Sequence, residues 1–450
     1  MTNVFDRVAE FALNCTAEDI PDTARETAAY LLLDTMGVLI AAGSMQAGGI
    51  ARDTAALLFA SSEPDFSARM LFDGRRASLA GAAYATASQT DNLDAHDGFN
   101  PVKGHIGVAI VPALAALAEQ CPDLSGREAL AAMIIGYEIA GRAGLTLHAT
   151  VSDYHTSGAW NALGVAALAA RLRRHAPDQL RQALGIAEFH GPRSQMMREI
   201  ANPTMLHDGS GWGALVGLSS AILAERGFTG APAITIEAKE AVPFWDDLGR
   251  VWQVEQQYIK PYPICRWAHA SIDGVRMLMQ VHKLTHQQIA AIRINSFEEA
   301  ACLYSDHPLT TSQAQYSLPF AVAVQAVHGR IGVEHISGKG LSDPTVAEIT
   351  KLIKVKESPR HSARFPAGRW ADVEIETLDG SVYHSGDINA RGGQENPLSK
   401  QEITDKFTEF AAPAVGRNRA AQILAATLKL TQPGSSFSNL SALIYDPPAR

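Results

Sequence analysis

The run ALAAMIIGYEIAGRAGL, residues 129–145, decides the fold class. Its apolar side chains recur at helical spacing, only Glu138 and Arg142 carry charge, and alanine and glycine fill the rest. A helix of such small residues packs closely and buries more than one face, as in a large helical bundle. The same pattern extends outward to ARETAAYLLLDTMGVLIAAG (24–43), VPALAALAE (111–119) and NALGVAALAARLRRH (161–175). In GSGWGALVGLSSAILAERGFTG (209–230) small residues open a further helix, and Gly227 reads as its C-cap.

Beyond about residue 262 the periodicity changes. IAAIRINSF (289–297) alternates apolar with polar residues, and ADVEIETLDGSVYHS (371–385) reads as a hairpin closed by a tight primed turn at Asp379-Gly380. SLPFAVAVQAVHG (317–329) and SDPTVAEITKLIK (342–354) are helical stretches between them. The tail, NPLSKQEITDKFTEFAAPAV (396–415) followed by NRAAQILAATLKL (418–430), returns to helix. The expectation is a mainly α protein. A large all-helical domain is built from both chain ends, 1–262 and 396–450, and a smaller α+β lid domain occupies 263–395.

Composition narrows the function. The 450 residues are 46% hydrophobic and 19% charged, which excludes a disordered chain, and the net charge of -9 has no block of like charge. Nucleic acid and anionic membranes are therefore not expected as partners. The cysteines at 15, 121, 265 and 302 form no CxxC pair and suit a reducing compartment. The start MTNVFDRVAEFAL reads as no secretory signal, and no uninterrupted apolar run reaches the ~20 residues of a membrane span. A cytoplasmic enzyme is the resulting expectation.

The densest polar cluster is TDNLDAHDGFNPVKGH, 90–105, placed directly before an apolar helix. If its first part is helical, Asp91, Asp94 and Asp97 share a face at three-residue spacing, and Lys103 and His105 return toward them. Carboxylates, an imidazole and an ammonium at a buried helix start tune a proton-transfer group and hold a substrate carboxylate. The plainer alternative is an exposed loop whose acids cap a helix. An aspartate-rich magnesium site for diphosphate ionisation lacks a second acidic helix motif. A transition-metal site on Asp94, His96, Asp97 and His105 lacks HExxH or a cysteine pair. DYHTSGAWNALG (153–164) and PTMLHDGSGWG (203–213) each set a histidine before a small-residue turn, which brings in Tyr154, His155 and His207. YIKPYPICRWAHASIDG (258–274) gathers Lys260, Arg266 and His269 on a proline-stiffened crossing suited to anion capture, or to a basic hinge. Cys265, with no base beside it in sequence, reads as structural.

These residues together resemble the MmgE/PrpD family, that of 2-methylcitrate dehydratase, cis-aconitate decarboxylase and iminodisuccinate epimerase. Asp94-Ala-His-Asp97 with Gly104-His105, YHTSGAWNALGVAALA, LHDGSG, IKPYPICRWAH, SLPFAVA, FPAGRWADVEIETLDG and NPLSKQEITDKF carry the resemblance in family order over nearly the whole chain. It implies a homodimer, an active site between a helical domain and a lid, no metal or organic cofactor, and small polycarboxylate substrates. The chemistry it implies is carbanion chemistry: loss of water or CO2, or epimerisation beside a carboxylate. Such reactions need a base for the C–H, cations for the carboxylates and an acid for the leaving group.

Carried over by position, the catalytic set is Asp94, His105, Lys260 and His155. His96, Lys103, Tyr154, His207, Arg266 and His269 bind or orient substrate. The chain departs from the family pattern in several places. Gly98 stands for the family's threonine and His96 for an aspartate. Thr204, Cys265 and Phe320 stand where the decarboxylase carries lysine, histidine and tyrosine. Those losses speak against decarboxylation of cis-aconitate and weaken methylcitrate as substrate. The expected activity is therefore a cofactor-independent hydro-lyase acting on a small hydroxy di- or tricarboxylate. An epimerase using the same site, and a non-catalytic carboxylate binder, stand as alternatives.

Overall fold

The structure, a computed structural model, describes residues 3–448. It is mainly α, and it divides into two compact units. Of the described residues, the first holds those up to Met196, Asp208–Gln257 and those from Ser399 to 448; the second holds Met197–His207 and Tyr258–Leu398. The short segment Met197–His207, which the sequence pattern leaves with the first helical stretch, thus goes with the second unit.

In the first unit the deciding run lies within the helix Gly126–Thr150, which Ser125 opens by accepting the Glu128 N–H. Its small residues have a direct packing reason. A Cβ on Gly164 of the helix Gly158–Leu172 would stand 2.5 Å from the carbonyl oxygen of Gly136, so the helices approach backbone to backbone and position 164 admits no larger side chain. Helices Gly107–Ala118 and Ser210–Glu225 complete the packed group, and Gly227, at φ +88°, follows the last of them. Among the described residues two helices, spanning Asp22–Ser44 with its terminal 3-10 turn and Gly126–Thr150, are long and apolar enough to cross a membrane. Their apolar runs are interrupted, by Asp34 in the one and by Glu138 and Arg142 in the other, yet the hydropathy averaged over 18 residues stays high. Most of each apolar window is buried within the protein.

Chain ends meet in this unit. Ser399 and Glu402 form a capping box at the start of the helix Lys400–Val415, and its Lys406 reaches Asp34 of the helix Asp22–Ala41. Gly37 lets the two helices close, since a Cβ there would already lie 3.1 Å from the Phe407 ring.

The second unit is built on a four-stranded sheet in the order Ile353–Glu357, Ile289–Ser296, Trp370–Thr377, Val382–Asn389. Ile292 pairs in parallel with Ile353 and antiparallel with Ile375. Trp370–Thr377 alternates buried with half-buried residues, and the helix His269–His282 covers it, with Gly274 against Val373. The edge strand Ile353–Glu357 begins in the last two residues of a stretch read as helix, 342–354. IKVKE is too short to show a period, and its charges suit an exposed edge. The hairpin turn is also not primed. Only Gly380 has positive φ, and its N–H donates to the Thr377 carbonyl, the arrangement of a wider loop with glycine at the left-handed position.

Candidate active site

The helix Leu79–Asp91 ends at Asp91, Asp94 follows in a turn, and Asp97 lies beyond it, just before the strand Gly98–Phe99. The shared helical face expected for the three aspartates therefore does not form, and the acids take separate directions. Asp97 turns into the core, where it accepts from Tyr137 Oη at 3.0 Å, the Gly107 N–H at 3.4 Å and Thr35 Oγ1 at 3.5 Å. Burial pushes its carboxyl up to about 6. It is an anchor at the N-terminus of the helix Gly107–Ala118, and Gly107 is needed because a Cβ would strike both Tyr137 and Asp97. From another side Lys406 donates to the Ala95 carbonyl at 2.7 Å.

This anchored loop fixes His105. Its backbone N–H donates to Ser157 Oγ at 2.9 Å, and its carbonyl accepts from Asn161 Nδ2 at 2.9 Å. Ring Nδ1 lies 2.6 Å from the Asp97 backbone oxygen. A carbonyl only accepts, so Nδ1 carries the hydrogen and Nε2 is the nitrogen that titrates. Nε2 stands 3.8 Å from Asp94 Oδ1 and 3.8 Å from Asp208 Oδ2. Gly104, just before it, leaves room for Ser157 and Trp160, which a Cβ would meet at 2.5 and 2.6 Å.

Asp208 was not singled out from sequence, although it is the residue after His207 in the quoted LHDGSG turn. The Ser157 hydroxyl, while accepting from His105, donates to Asp208 Oδ2 at 2.7 Å. Burial first, then the nearby Asp91 and Asp94 charges, push the Asp208 carboxyl up to about 7. Asp91 accepts the Ser210 N–H at 3.1 Å and ties this turn to the end of the helix Leu79–Asp91. His96 Nε2 is 3.7 Å from Asp91 Oδ1, and its ring meets His105 edge-on at 4.5 Å. The first unit thus assembles two imidazoles and three carboxylates, with a basic nitrogen and a carboxyl of raised pKa side by side.

The other expected residues form separate groups. Lys103, held at φ +55°, places its ammonium over the Tyr154 ring at 4.4 Å, and Tyr154 donates back to the Lys103 carbonyl. The Tyr154 ring packs against His148, whose Nε2 accepts the His155 N–H at 3.2 Å. Burial lowers both imidazoles, His148 to about 4. In the second unit His207 packs against Tyr316 at 5.8 Å. Arg266 lies over Tyr258 and donates to the carbonyls of Ala390 and Arg391, and burial pushes it down to about 10. His269 donates from Nε2 to the Ile264 carbonyl at 2.9 Å, which turns Nδ1 toward Arg266 at 3.5 Å. Lys260 and Cys265 are buried in the same unit. Among the described residues one group has metal-ligand spacing, His361, Asp372 and Asp387, but Arg360 pairs with both carboxylates and Arg364 with Asp387.

Comparison with known proteins covers both units. Residues 6–243 match the family model described as the MmgE/PrpD N-terminal domain, and residues 262–432 match the MmgE/PrpD C-terminal domain. Among curated proteins, cis-aconitate decarboxylase of Aspergillus terreus (strain NIH 2624 / FGSC A1156) is 23% identical, over 94% of this chain and 92% of its own. The cis-aconitate decarboxylases of Mus musculus and Homo sapiens are each 23% identical, over 78% and 74% of this chain and 75% and 72% of theirs.

Proposed function

The chain belongs to the MmgE/PrpD family, and from that premise we propose that it is a lyase removing water from a small hydroxy di- or tricarboxylate. The observation that carries the reading is the placing of His105 Nε2, its tautomer set by Asp97, 3.8 Å from an Asp208 carboxyl whose pKa is pushed up to about 7. Decarboxylation, the activity in the names of the relatives, needs an acid to protonate a carbanion. Dehydration needs a base and an acid together, and near neutral pH these two residues supply both.

In the proposed reaction Nε2 takes the proton from the carbon next to a carboxylate. The C–H electrons form the alkene as the C–O bond breaks, and Asp208 gives its proton to the departing hydroxyl, which leaves as water. The imidazolium, steadied by Asp94, then returns its proton to Asp208, so both groups end as they began. No cofactor enters the scheme.

Incubating the protein in D2O with a panel of hydroxy di- and tricarboxylates, cis-aconitate included, tests this. An alkene product absorbing near the ultraviolet edge supports it. Deuterium at the α-carbon without alkene would make the protein an epimerase, and CO2 release a decarboxylase. Melting shifts without turnover or exchange would make it a carboxylate binder.

A further inference from the structure

The proposed reaction leaves unused a buried imidazole beside it. His96 is 0% exposed and lies on the loop between the helix Leu79–Asp91 and His105. Its Nδ1 is 3.4 Å from the Asp97 backbone oxygen, the same oxygen that takes His105 Nδ1 at 2.6 Å. A carbonyl oxygen has two lone pairs and accepts from both rings, which brings them together edge-on at 4.5 Å. The other nitrogen, Nε2, is 3.7 Å from Asp91 Oδ1, while Asp91 Oδ2 takes the Ser210 N–H. Both His96 nitrogens therefore face oxygens that accept and do not donate. A neutral imidazole has a hydrogen for one of them; an imidazolium serves both.

We propose that His96 is a permanent imidazolium paired with Asp91, and that its charge keeps His105 an unprotonated base and sets the working pH of the His105–Asp208 pair. It is a positioning residue, acting through those two groups. The titratable groups around it are Asp91 at the end of the helix Leu79–Asp91, Asp94 and Asp97 on its own loop, His105, and Asp208 on the turn before the helix Ser210–Glu225. Lys406 reaches this loop at the Ala95 carbonyl, with its charge committed to Asp34. Buried carboxylates need compensation. The proton on Asp208 neutralises one and His96 balances Asp91, which leaves Asp94 to steady the imidazolium that His105 becomes. A positive charge already in ring contact disfavours protonating His105 before substrate arrives. Burial raises the Asp97 and Asp208 carboxyls, and His96 is among the charges that draw both back down. The consequence for turnover rests on the roles proposed for His105 and Asp208; the charge on His96 does not.

Nitrogen NMR of the full chain with 15N-labelled histidine tests the proposal without substrate. The signals that vanish in His96→Gln belong to His96, with His96→Asn as a second variant for the assignment. In the wild type both His96 nitrogens should stay protonated from about pH 6 to 8, where an ordinary imidazole loses its charge. In His96→Gln the His105 ring, assigned with His105→Gln, should titrate about 1 unit higher than in the wild type. On an active panel substrate, both limbs of the His96→Gln activity profile should move to higher pH together, with about a tenfold loss of rate below the acid limb. A merely structural role would lower the rate and move neither limb. A neutral His96 in the wild type overturns the proposal, as does a His96→Gln profile that stays in place or moves at one limb alone. If no panel substrate is turned over, the dehydration reading falls, and the wild-type spectrum still decides the charge on His96.

Discussion

Lys406 and Asp34, 372 residues apart in sequence, form a buried ion pair at 2.6 Å, and the same ammonium holds the Ala95 carbonyl of the loop that carries Asp94 and His105. The C-terminal part of the chain is thereby a support for the candidate site. A buried charge left without its partner is costly, which makes the pair open to test.

Lys406→Met should lower unfolding stability in urea by about 3–5 kcal/mol, because it takes the ammonium away from the buried Asp34 carboxylate. Combining it with Asp34→Asn should recover a large part of the loss. Equal destabilisation in the single and double variants would contradict the role given to the pair.

His105→Gln should reduce turnover on whichever panel substrate is active by about 10²–10⁴-fold, the usual worth of a positioned acid or base, with the melting temperature little changed. A fall in melting temperature with normal activity per folded molecule would mark His105 as structural.

Ser157→Ala should move the alkaline limb of the activity profile to higher pH. The Ser157 hydroxyl donates to Asp208 and favours its ionised form, so without it the Asp208 carboxyl keeps its proton further up the scale. A profile that stays in place while the rate falls would remove Asp208 as the proton donor.

Asp208→Asn should be inactive yet more stable than the wild type at alkaline pH. The folded protein holds the Asp208 proton up to about 7, whereas the unfolded chain releases it near the ordinary aspartate value of 3.8. Between those values the folded state binds more protons, so wild-type stability falls as pH rises and levels off above about 7. Asparagine does not titrate. The stability difference between variant and wild type, followed by chemical denaturation, should therefore grow in the variant's favour from pH 4 to pH 7.

Gly107→Ala should cost about 1–3 kcal/mol by overpacking, since the added methyl meets Tyr137 and Asp97. It should also reduce turnover, because the Asp97 backbone oxygen orients His105. Normal activity in a destabilised Gly107→Ala would show that His105 does not depend on this anchor.

The sequence by itself determined the helices, because small and apolar residues at a 3.6-residue period report their own burial, and Ser399 with Glu402 announces a helix start locally. The family was legible too, as was the loop 90–105 where acids and imidazoles concentrate. Tertiary structure alone decided what each acid does. Asp91, Asp94 and Asp97 look equivalent at three-residue spacing, yet the helix stops at Asp91, Asp97 is taken by Tyr137 from 40 residues away, and Asp94 is left beside His105. Nothing near Asp208 in the chain marks it as a proton donor. Its raised pKa comes from burial and from carboxylates more than a hundred residues earlier, and electrostatic coupling of that kind depends on distance in space, which no local periodicity encodes.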